Sequence, residues 1–218
     1  MRHTFTLAIA ACLALAGATT AQAQNRYAPH ASMADSWYFG IDAGVDLPAG
    51  TNVRNLDAGT EAEYEFGEGF AVLARAGRNF TDYLRIETEL GYRSSDLDDI
   101  DGVATSGHRR TASMMLNAIY DIRIEPAIVP FVGAGIGIAQ ISDTAKIGGT
   151  TLLDDTDSGV MWQVMAGFVM PASETIDFNL TYRYVGGFDP TYRNEAGDRL
   201  ESEFRTDSIV IGLARRFR

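Results

Sequence analysis

Few side chains in this 218-residue sequence can do acid–base, nucleophilic or metal chemistry. There are three histidines, His3, His30 and His108, and a single cysteine, Cys12. Ser106 stands two residues before His108, a spacing in which a general base could activate a hydroxyl. A lone Ser-x-His in a polar stretch is more commonly solvated surface, and no catalytic residue is assigned. Two acidic runs, "DLDDIDG" at Asp96 to Gly102 and "DDTDSG" at Asp154 to Gly159, offer the carboxylates that Ca2+ prefers. The EF-hand spacing fails, because Ile100 takes the third ligand position when Asp96 is the first. The plain reading is solvated acidic loops, with a bound divalent cation as the alternative, so no metal or cofactor residues are assigned. The remaining candidates are charges set at alternate positions of short apolar segments: Arg75, Arg85, Glu87, Glu89, Asp177 and Arg183.

The segments that must position these charges show a period of two. "FVGAGIGIAQ", Phe131 to Gln140, places Gly133, Gly135, Gly137 and Ala139 on one face and Val132, Ala134, Ile136 and Ile138 on the other. A dinucleotide-binding turn needs G-x-G-x-x-G at a strand-to-helix junction, and each glycine costs a helix about 1 kcal/mol. Alternation is the signature of a strand. Seven further stretches behave alike: 37–45, 70–78, 84–92, 112–121, 160–168, 176–184 and 208–217. Each has an oily face and a face of small or charged residues. In 84–92, Leu84, Ile86, Thr88, Leu90 and Tyr92 oppose Arg85, Glu87, Glu89 and Gly91.

Arg2, His3 and the apolar run "FTLAIAACLALAGA", ending in Ala21-Gln22-Ala23, read as a cleavable export signal over 1–23. A lipoprotein reading centred on Cys12 would halve that apolar run. Cleavage removes the only cysteine, so the mature chain has no disulfide and no thiol nucleophile. The formal net charge is −11, and the signal carries no acidic side chain, which argues against binding nucleic acid. After residue 23 no apolar run approaches the roughly 20 residues of a membrane helix.

Two barrels could carry the pattern, a soluble one with the oily face inward and a membrane one with it outward. The size distribution favours the second. Small residues relieve crowding inside an eight-stranded barrel, where long Arg and Glu side chains must also fit. Trp37, Phe70, Tyr92, Tyr120, Trp162, Phe168, Tyr182 and Phe217 then form interfacial girdles. Long polar connections at 47–67, 93–109, 143–158 and 186–205 alternate with the short "NFTD", "IRIEPAIVP" and "MPASE". The expected fold is all-β: an eight-stranded antiparallel up-and-down transmembrane β-barrel over 36–218, after a signal peptide (1–23) and a flexible segment (24–35).

At "WYFGIDAGVDL", "ELGYR", "MLNAIYD", "PFVGAGIGIA", "LTYRYVG" and "SIVIGLARRF" the chain resembles the small eight-stranded outer-membrane barrels of Gram-negative bacteria, of the opacity-protein and rhizobial or brucella surface-antigen kind. The resemblance spans about the whole mature chain. It implies location in the cell outer membrane, contact with membrane lipid and lipopolysaccharide, and a structural or surface-interaction role through four external loops, including contact with a host partner. It also implies that the terminal aromatic, here the penultimate Phe217, is read by the barrel-assembly machinery. A lipid-modifying enzyme and a narrow pore or small-ligand carrier are the alternatives. On the inward face, three bases (Arg75, Arg85, Arg183) and three acids (Glu87, Glu89, Asp177) can neutralise one another and plug the lumen. A three-residue turn Phe80-Thr81-Asp82 would set Arg75 directly opposite Glu87, whereas a shift of two would set Arg75 against Arg85, so the first register is expected.

Overall fold

In the computed structural model the described residues are 35–100, 103–123, 128–147, 150–193 and 197–217. The expected signal and residues 24–34 of the expected flexible segment, with His30, lie outside them. Asp35, the last residue of that segment, is held in place. Its N–H donates to the Asn79 carbonyl at 2.7 Å, and its carboxylate accepts from Arg78 at 2.9 Å.

Alternation produces twelve strands among the described residues: β1 (Trp37–Pro48), β2 (Thr51–Asn55), β3 (Glu61–Phe66), β4 (Gly69–Asn79), β5 (Leu84–Ile100), β6 (Val103–Asp121), β7 (Val129–Ile147), β8 (Thr150–Pro171), β9 (Ile176–Gly187), β10 (Thr191–Arg193), β11 (Arg199–Ser202) and β12 (Arg205–Phe217). Eight of them close a ring in the order β1-β4-β5-β6-β7-β8-β9-β12, and β12 pairs back to β1. Every pair is antiparallel, so no main-chain edge of the ring faces lipid. These eight contain the eight segments expected from periodicity.

The faces are those of a membrane barrel. Ile41, Leu90, Leu116, Ile136, Ile138 and Ile211 are exposed on the outside, while Asp42, Glu87, Glu89, Asn117, Gln163 and Arg183 are buried inside. Of the expected girdle aromatics, Trp37, Phe70, Tyr92, Tyr120, Trp162 and Phe217 are exposed, and Phe168 and Tyr182 are half-buried. The bare face of β7 has a packing cause. A Cβ built on Gly135 would lie 1.9 Å from Asn117 Oδ1, because the Asn117 amide lies across the glycine. At Gly77 the Tyr38 ring fills the same kind of space, 2.3 Å from a would-be Cβ.

The structure departs from the sequence reading at the end opposite the chain termini. Most of the segments expected as long loops are strand, and the barrel continues far beyond the apolar belt. β5 to β8 run on without a break, and β3, β2, β11 and β10 continue β4, β1, β12 and β9 after short interruptions. In this extension the two faces exchange character. Asp96, Asp98, Ser106, Arg110, Lys146, Asp154, Thr156 and Ser158 are exposed on the outside. Val53, Leu97, Ile141, Ala145, Leu153, Met161, Val185, Tyr192, Leu200 and Phe204 form one buried apolar cluster inside. Outside the bilayer the wall meets water, so the ordinary soluble rule returns. A polar outer face in a strand therefore read as loop.

The second departure is the β4–β5 register. Arg75 faces Glu89 and Gly77 faces Glu87, a shift of two residues from the expected Arg75–Glu87 opposition. Phe80 N–H bonds the Leu84 carbonyl, and the Thr81 hydroxyl accepts from Tyr83 and Leu84 N–H. The turn is thereby longer than the three residues assumed.

Candidate functional site

Inside the membrane-spanning part, parity along each strand delivers side chains to a common interior. Arg75 on β4 is the hub. Its Nε lies 2.7 Å from Asp42 Oδ2, its Nη1 lies 3.2 Å from Glu87 Oε2, and its Nη2 donates to Asn179 Oδ1. The Arg75–Glu87 contact exists despite the altered register, because the two residues meet diagonally across the ladder. Glu89, which directly faces Arg75, is paired instead with Arg183 of β9. Arg183 also approaches Asp42 at 3.8 Å and donates to Gln163 Oε1 at 3.2 Å.

The remaining polar groups knit the bases and acids together. Gln163 donates to Asn117 Oδ1 at 2.8 Å, Asn117 donates to both Glu87 and Glu89, and Tyr38 donates to Glu87 Oε2 at 2.9 Å. Nearer the chain termini, Arg85 pairs with Asp121 at 3.1 Å and packs over the Phe131 ring, 4.9 Å from its centroid. Asp177 pairs with Arg216 at 3.1 Å. These two pairs border a cavity of about 40 Å3, a size that suits ordered water and not a larger solute. On the opposite side of the hub, Arg93 lies 3.5 Å from Asp46, which accepts from Ser208.

The six charges read from the sequence are therefore all buried inward. Arg75, Glu87, Glu89 and Arg183 join one network, Arg85 reaches it by donating to the Tyr38 hydroxyl and also pairs with Asp121, and Asp177 pairs with Arg216 near the terminal end. The sequence reading missed Asp42, Asp121, Arg93, Asp46 and Arg216 as members. Asp42 and Asp121 already lay on the inward parity of their strands, and that signal alone would have found them. Arg93 was hidden because the strand was ended at Tyr92.

Above the network the apolar cluster packs inside the extension. It surrounds one further ion pair, Arg109 with Asp143, joined by hydrogen bonds of 2.8 and 2.6 Å. The guanidinium also donates to Ser202 and lies 4.3 Å from the Phe66 centroid. Burial opposes the Arg109 charge, but the Asp143 carboxylate outweighs it and holds the guanidinium more firmly protonated than usual. At the far rim, the side chain and main-chain N–H of Arg199 bond Asp57 and hold its carboxyl below the usual range.

The other residues singled out by type are scattered. Ser106 and His108 lie on the outer parity of β6, with Asp96 and Thr144 beside His108 in the neighbouring strands. Asp154 accepts from Thr144, and the Asp155 and Asp157 carboxylates accept main-chain N–H groups. Phe217 ends β12 opposite Trp37, with its ring edge-on to Phe39.

Residues 8–217 match the outer membrane protein beta-barrel domain family. A curated relative from Gluconacetobacter diazotrophicus, named "Outer membrane protein", is 26% identical over 196 residues, covering 78% of this chain and 51% of its own. The chain thus spans about half the length of that relative. Among solved structures, the outer membrane protein OprG from Pseudomonas aeruginosa superimposes with a TM-score of 0.61 at 12% identity, covering 84% of this chain and 97% of its own. Neisserial surface protein A gives a TM-score of 0.52 at 17% identity, covering 83% and 97%. At these identities the two structures establish a common fold. The chain is an outer-membrane β-barrel and belongs to the outer membrane protein beta-barrel domain family.

Proposed function

We propose that this protein is a closed, non-enzymatic barrel that serves the outer membrane as a structural and surface-contact element, with the tall external extension as its working surface. The observation that carries this reading is the filled interior. A charge network occupies the membrane-spanning part and an apolar cluster occupies the extension, and the cavity bordered by Arg85, Asp121, Asp177 and Arg216 at the terminal end is of water size. Self-neutralising pairs suit a plug, because an unpaired charge in a tight interior would cost several kcal/mol. The outer wall of the extension meets lipopolysaccharide or a host partner, and Phe217 serves recognition by the assembly machinery.

The rival readings predict chemistry or flux. Proteoliposomes containing the purified protein should swell in small sugars or amino acids no faster than protein-free vesicles. Lipid A extracted from cells overproducing the protein should migrate unchanged on thin-layer chromatography. Swelling well above the control would favour a pore or carrier, and a new lipid A species would favour an enzyme.

A further inference from the structure

The extension has one seam of unusual construction. β8 and β9 pair through Met161↔Gly187, and Phe188 N–H still bonds the Val160 carbonyl at 3.0 Å. Pro190 follows, with no N–H to give, and beyond it β8 and β10 share no main-chain ladder among the described residues. Carboxylates stand in its place. Asp155 Oδ1 accepts Thr156 N–H at 2.8 Å, and its Oδ2 accepts Arg193 N–H of β10 at 2.8 Å. Asp157 repeats the device two residues on, with Ser158 N–H at 2.8 Å and Thr191 N–H at 2.9 Å.

Each carboxylate thus bridges one donor from each strand. The two links that cross the seam, Asp155 to Arg193 and Asp157 to Thr191, stand where main-chain bonds close the ring elsewhere. Behind the seam lie Tyr192 and Leu153 of the apolar cluster, and the Phe188 ring rests against Gly159. Across β7, Asp143 faces Asp155 in register and is itself neutralised by Arg109.

We infer that Asp155 and Asp157 form a latch, and that the barrel wall opens at the β8–β10 seam while the membrane-spanning ring stays closed. A side-chain bridge can release without breaking a cooperative ladder, so this is where the wall parts first. Asparagine tests the geometry, since it keeps one carbonyl oxygen but presents an NH2 group to the second donor.

The experiment is amide hydrogen exchange on the full-length folded protein in detergent micelles, comparing wild type with Asp155→Asn, Asp157→Asn and the double variant. Heat-modifiable gel migration checks that each is folded. Asp155→Asn should speed exchange at Arg193, and Asp157→Asn at Thr191, each at least tenfold. Amides between Val164 and Pro171 on β8 should not change. Met161→Cys, introduced into the double variant, should react faster with a water-soluble maleimide than in the wild-type background. Unchanged exchange at both amides would overturn the inference, as would equal acceleration along the whole β8–β9 ladder. Should a variant fail to fold, the wild type alone decides. Thr191 and Arg193 must exchange faster than the Met161–Gly187 ladder, and equal protection refutes the latch.

Discussion

Replacing Arg75 with alanine should destabilise the folded barrel by about 3–5 kcal/mol, the usual loss when one partner of a buried ion pair is removed. Arg75 holds Asp42 and Glu87 at 2.7 and 3.2 Å, and both carboxylates are essentially without solvent contact. Without the guanidinium, Asp42 and Glu87 lose their shared partner and Arg183 alone must serve Asp42 and Glu89. Glu87→Gln, combined with Arg75→Ala in a double-mutant cycle, should show a coupling of about 0.5–3 kcal/mol. Glu89 provides a contrast, because it faces Arg75 in the ladder yet binds Arg183. Its coupling to Arg75 should be the smaller of the two. Urea unfolding in lipid vesicles reads both quantities. A loss under about 1 kcal/mol, with no coupling to Glu87, would contradict the network described here.

An arginine at Ile136 should cost about 2–4 kcal/mol, as expected for a charge near the bilayer midplane on the lipid face. Ile136 is 60% exposed on the outer wall and sits between Leu116 and Trp162 on the neighbouring strands. An arginine at Ser142, on the same outer face of β7 six residues further along, should cost no more than about 1 kcal/mol. The contrast is sharper than a comparison of inner and outer faces, because both sites share a strand and a face. It reads where lipid ends. Equal penalties at the two positions would mean that the apolar belt has been placed wrongly on β7.

The membrane-spanning part was legible because lipid imposes a rule that sequence carries openly: oily outward, small or charged inward, period two. Leu84 to Tyr92 obeys it residue by residue. The same rule hid the extension. Beyond Tyr92 the strand keeps its period, but Ser95 and Leu97 point inward while Asp96 and Asp98 meet water, so the polar outer face mimics a loop. The interior charges were legible from parity, whereas their pairing depended on a turn whose length follows from hydrogen bonds at Phe80 and Thr81. A diagonal contact then restored Arg75 to Glu87 through side-chain reach, which no register argument supplies. The Asp155 and Asp157 carboxylates looked like cation ligands in sequence. Their role as main-chain acceptors needed the opposite strand, β10, to be in place.

The proposal of a sealed interior is tested most directly by single-channel recording of the purified, refolded protein in planar lipid bilayers. The filled network and the apolar cluster above it predict a quiet baseline at physiological salt, with no steady conductance steps across applied voltages of either sign. Arg75→Ala, where it folds, should be the first variant to show activity. Large, steady, ion-selective steps from the wild-type protein would mean that the charges line water, and would contradict the closed barrel.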